Sequence, residues 1–128
     1  MRQQKLRQLA ELIACITRKG AQGSRDEEML DWLAAVVFTL RDIAKSVEQT
    51  AVAWEKRNHW LKADRFRREW DWVAAIAERL SSSLTAGDVD AAIPALLPLL
   101  PKVSGVKVLR SMKPAAEWQG AMKRLREH

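Results

Sequence analysis

Tyrosine is absent from this sequence and cysteine occurs once. A lone Cys15 excludes an intramolecular disulfide framework, so stability has to come from packing. It lies in the apolar run LIACI, where a free thiol behaves as a small core residue and suits a reducing cytoplasm. Histidine occurs only at positions 59 and 128, which leaves no spacing for a His-based metal centre. There is no paired-Cys zinc spacing, no glycine-rich phosphate loop and no His-Glu-x-x-His. No stretch of roughly 18 apolar residues is present, so a membrane span is not expected. The basic and then apolar start is interrupted by Glu11 and lacks a small-residue cleavage site, unlike a secretory signal. Five glycines and four prolines leave few turns, and residues 24–86 contain neither.

What remains is helix-forming. Hydrophobic residues make up 48% of 128 residues, enough for one domain with a real core, over residues 1–128. Ala, Leu, Glu, Lys, Arg and Gln lose little rotamer freedom in a helix. The expected class is all-α: an antiparallel bundle of three long helices, a short kinked helix and a C-terminal helix. The net charge of +6 is spread in alternating blocks. Residues 1–25, 26–55, 56–68, 69–101 and 102–128 carry +5, −5, +5, −4 and +5 in turn. Such blocks suit neighbouring helices that attract one another, although exposed pairs are individually weak.

Spacing sets the expected boundaries. Leu6, Leu9, Ile13 and Ile16 recur at three and four, giving a first helix over about 3–18 that stops at Lys19-Gly20. Ser24-Arg25-Asp26-Glu27 fits a capping box with Ser24 as N-cap. The next stripe is Leu40, Ile43, Val47, Ala51 and Trp54. A later one is Phe66, Trp70, Val73, Ala77, Leu80 and Leu84. The first stripe points on to Asn58 and then Leu61, but Leu61 to Phe66 is a step of five that does not fit one stripe. A turn is therefore expected within 57–63, with Asn58 the best residue for it because it tolerates the left-handed conformation. The third helix then covers about 62–84. Asp88 is an expected N-cap for a short helix kinked by Pro94 and Pro98. Residues 101–113 read as extended, and Pro114 as the first position of a final helix over 115–126.

Two constellations carry chemistry. Glu27, Glu28 and Asp31 place carboxylates on one helical face, the arrangement of a magnesium hydrolase, but no second acidic pair matches them. Capping and solubility explain this cluster better. The stronger candidate is the basic and aromatic set Lys56, Arg57, Trp60, Lys62, Arg65, Arg67, Arg68 and Trp72, because Arg supplies planar donors and Trp a stacking surface. Two residues turn a helix by about 200°, so Trp70 and Trp72 are expected on opposite sides. Phe66, Trp70 and Val73 would then face the core, with Arg65, Arg68 and Trp72 outward. The competing reading is that the tryptophans fill the core and the arginines snorkel around them.

The run AWEKRNHWLKADRFRREWDW, residues 53–72, resembles a segment of small uncharacterised cyanobacterial helical proteins. The resemblance implies a photosynthetic bacterial cytoplasm and carries no functional residue. The expected function is a non-enzymatic interaction or assembly module without cofactor or metal. Its partner would be a protein, including a second copy of itself. Nucleic-acid binding through Arg65, Arg67 and Arg68 is the alternative, and a carboxylate-metal hydrolase the third. A membrane surface, met by the basic C-terminus, ranks below the first two.

Overall fold

The computed structural model describes residues 2–21, 26–105 and 118–127. It is all-α, with no strand among the described residues. The helices are α1 (Arg2–Ala21), α2 (Glu27–Lys56), α3 (Trp60–Glu69), α4 (Asp71–Thr85), α5 (Val89–Ala95), α6 (Leu100–Val103) and α7 (Ala121–Glu127). A 3-10 turn, Leu97–Leu99, joins α5 to α6. No described helix is long and apolar enough to cross a membrane.

The 30-residue α2 is the axis of the molecule. Its N-cap is Asp26, whose carboxylate accepts from the Met29 amide at 3.0 Å. That displaces the expected capping box, because the helix starts at Glu27; Ser24 itself lies outside the described residues. Helix α1 runs through Gly20 rather than stopping there. Lys5 pairs with Asp42 and Lys19 with Glu28, both at 3.2 Å, so α1 and α2 run in opposite directions. Arg41 donates to Ser81 and Trp54 packs on Phe66, so α3 and α4 also run back along α2. The alternating charge blocks thus meet where oppositely charged blocks lie on adjacent helices.

Between Leu33 and Val37 every α2 side chain is fully buried, because α1, α4 and α7 surround this part. Cys15 is buried on α1. The expected core stripes hold: Leu40, Ile43, Val47 and Ala51 are buried on α2, and Val73, Ala77, Leu80 and Leu84 on α4. Beyond Val47 the situation changes. Ala51 is the last fully buried residue of α2, and α3 adds only Ala63. The far third of α2 and the start of α3 therefore form a thin two-helix hairpin, about 14 Å long from Val47 to Lys56. Its turn is Arg57-Asn58-His59, with Asn58 at φ 65°, the left-handed geometry that Asn accepts more readily than most residues.

The third long helix is two helices. At Trp70 the amide donates to both Phe66 (3.2 Å) and Arg67 (3.3 Å), and the chain resumes with an i to i+3 bond from Val73 to Trp70. No Gly or Pro marks this break. Further on, the Asp88 carboxylate caps α5 through the Ala91 amide, as its position suggests. Pro94, Pro98 and Pro101 then remove donors, and i to i+3 bonds at Leu96 and Leu99 replace the regular ladder. Residues 101–103 are helical rather than extended. Residues 106–113 and Pro114 lie outside the described residues. The last helix starts at Ala121, after a turn over 118–120 with Gly120 at φ 78°.

Candidate functional site

The basic and aromatic stretch divides into an inner row and an outer tip. The inner row is a chain of rings. Trp54 meets Phe66 edge-on at 4.8 Å, Phe66 meets Trp70 at 6.3 Å, and Trp70 stacks on Trp72 at 5.9 Å. Each end carries a cation: Lys62 lies over Trp54 at 4.6 Å and Lys102, on α6, over Trp72 at 5.2 Å. The row ties α2, α3, α4 and α6 together.

This arrangement corrects the expected facing of Trp72. A 200° turn separates residues two apart only within one helix. The break at Trp70 removes that constraint, and both indoles pack, half-buried, against the core. Trp72 is therefore part of the inner row, not of an outward face.

Arg67 is also turned inward. Its guanidinium reaches Glu48 through Nε (3.0 Å) and Nη2 (2.8 Å), and Glu55 through Nη1 (2.8 Å) and Nη2 (2.9 Å). Glu48 and Glu55 are two turns apart on α2, so one arginine on α3 bridges both. The paired guanidinium holds both carboxyls below the usual range, through hydrogen bonds first and charge second. Arg67 is raised in turn by the same hydrogen bonds. Binding a phosphate would require this clamp to open.

A pH dependence follows. The clamp's contribution is present at neutral pH, above the ordinary glutamate value of about 4.3. It is lost as pH falls through the depressed values of the folded state. Acidification below the ordinary glutamate range, through the depressed values of Glu48 and Glu55, is expected to loosen α3 from α2 before the enclosed half of α2 opens. Hydrogen exchange at α3 amides measures this. An Arg67→Ala variant should show fast α3 exchange already at neutral pH, with little further change in acid.

The remaining sequence-derived residues lie at the tip. Lys56, Arg57, Lys62 and Arg65 are exposed there. Arg68 is exposed and pairs with Asp64 at 3.0 Å, one turn away. Trp60 is 62% exposed, while the other five tryptophans are half-buried. Beside it Leu61 is 63% exposed. Leu61 is the residue that the candidate set lacked. The α2 stripe points to Leu61 through Asn58, but the turn at Arg57-Asn58-His59 ends that helix first and leaves Leu61 outside the core. An open groove of about 580 Å³ runs along the tip, with Trp54, His59, Trp60, Leu61, Lys62 and Arg65 among its lining residues. Its lining is mainly aromatic and basic, with Glu69 as its one carboxylate.

The acidic cluster does other work. Glu28 pairs with Lys19, and the Asp31 carboxylate accepts from the backbone amides of Gly120 (3.0 Å) and Met122 (3.1 Å). Among the described residues no three His, Cys, Asp or Glu side chains converge as a metal would need. No family model, curated protein or solved structure matches this chain.

Proposed function

We propose that this chain is a non-enzymatic interaction or assembly module, built on an antiparallel bundle, with the α2–α3 hairpin tip as its contact surface. The observation that carries the reading is Trp60. A tryptophan left 62% exposed, next to an equally exposed leucine, keeps a large apolar area in water. A rigid indole rimmed by arginine is the usual chemistry of an interface anchor. The basic residues around it favour an acidic protein surface. The resemblance to cyanobacterial proteins covers residues 53–72, which include this tip, and it suggests a cytoplasmic setting.

Nucleic acid is the second reading, supported by the exposed Arg65 beside a ring that could stack a base. Arg67 is not available to it without breaking its pairs with two glutamates. The hydrolase reading has least, because Asp31 serves the α7 backbone. Capture of the tagged chain from its source cell, with and without nuclease, separates the first two. A protein partner that survives nuclease and is lost in Trp60→Ser/Leu61→Ser supports the interaction module. RNA or DNA whose binding falls steeply with salt and is lost in Arg65→Ala/Arg68→Ala would replace it.

A further inference from the structure

Among the described residues, four large apolar side chains are exposed, and they fall in two places. Trp60 and Leu61 are at the hairpin tip. Leu97 (62% exposed) and Leu100 (44%) are on the proline-kinked segment that runs through α5 and α6. That segment packs on α4 and returns to place Lys102 over Trp72. About 15 Å of α3 separates Trp60 from Trp70, so the two apolar places are distinct patches.

Their charges are opposite. Around the tip Lys56, Arg57, Lys62 and Arg65 stand against Glu69, which lines the same groove, and Asp64, which pairs with Arg68. The kinked segment carries Asp88 and Asp90, with exposed Glu78 on the helix that α5 packs against, and its one basic residue, Lys102, lies over Trp72. A symmetric tip-to-tip pair would crowd four basic residues from each copy together, which is costly. A tip against the kinked segment brings apolar to apolar and basic to acidic.

We propose that the partner of the tip is a second copy of this chain, bound head-to-tail, with Trp60 and Leu61 of one copy seated on Leu97 and Leu100 of the next. This rests on the reading of the tip as a contact surface and names its occupant. Such a contact uses two different surfaces, so each copy keeps one tip and one acceptor unused. It closes into a ring or extends as a chain of copies. Four side chains make a small contact, so association belongs to the weak, concentration-dependent class.

The test is light scattering and sedimentation of the purified full chain at rising concentration. The wild type should grow in mean mass with concentration, less so at high salt, as a contact between opposite charges requires. Trp60→Ser/Leu61→Ser and Leu97→Ser/Leu100→Ser should each lose association by at least about tenfold while keeping the helical circular dichroism of the wild type. Mixing these two variants is decisive. One retains only the acceptor and the other only the tip, so together they should form a 1:1 pair that neither forms alone. Association that survives in Leu97→Ser/Leu100→Ser, or a mixture that stays monomeric, overturns the head-to-tail arrangement. A wild type that stays monomeric at high concentration overturns self-association. Capture of another protein that depends on Trp60 would still stand in that case, so the two failures are distinguishable.

Discussion

Replacing Asp31 by alanine is expected to release the C-terminal helix and to cost about 3 kcal/mol of stability. Helix α7 has seven residues, too few to hold together in water without docking. Its start depends on one carboxylate that lies 89 residues earlier in the chain and accepts from Gly120 and Met122. Asp31 is buried, so its removal leaves those amides to water or to nothing, and a buried donor without a partner is the expensive outcome. Ala121, Met122 and Leu125 then lose their places against the core. Asp31→Asn keeps one carbonyl oxygen and should fall between the wild type and Asp31→Ala. Urea melts of the three proteins give the order. Hydrogen exchange should show that α7 amides lose protection first, and that a chain ending before Trp118 resembles Asp31→Ala. If Asp31→Ala melts with the wild type, the carboxylate is not what holds α7.

The same residue shows what a sequence conceals. Acidic side chains early in a helix read as dipole partners and solubility, and for Asp26 and Glu28 that reading holds. Nothing local distinguishes Asp31, whose partners are set by tertiary packing. The hairpin turn was legible, because the step of five from Leu61 to Phe66 broke the spacing and Asn58 suited a left-handed residue. The break at Trp70 was not. Phe66, Trp70, Val73 and Ala77 keep spacings of three and four straight through it, so the pattern looks continuous while the backbone is not. Missing that break reversed the expected side of Trp72. Arg67 read the same as Arg65 and Arg68. A signal was available, however: Glu48 and Glu55, seven apart on the facing helix, form a receptor for one inward arginine.

Phe66 links packing to the tip. It touches Trp54 on one side and Trp70 on the other, at the centre of the ring row. Phe66→Ala removes both contacts and leaves a space that α2 and α3 cannot close without moving. The expected loss is about 2–3 kcal/mol, below that of a fully enclosed phenylalanine because the site is half-buried. Phe66→Leu keeps most of the volume and should recover roughly half of it. The damage should be local. Hydrogen exchange should quicken across α3 while Leu33 to Leu40 on α2 stays protected, because those residues are enclosed by other helices. Trp60 and Leu61 are untouched by this change, yet their alignment depends on α3 lying flat on α2. Association through the tip should therefore weaken in Phe66→Ala and return in Phe66→Leu. Undiminished association in Phe66→Ala would mean that the tip residues act without the hairpin that presents them.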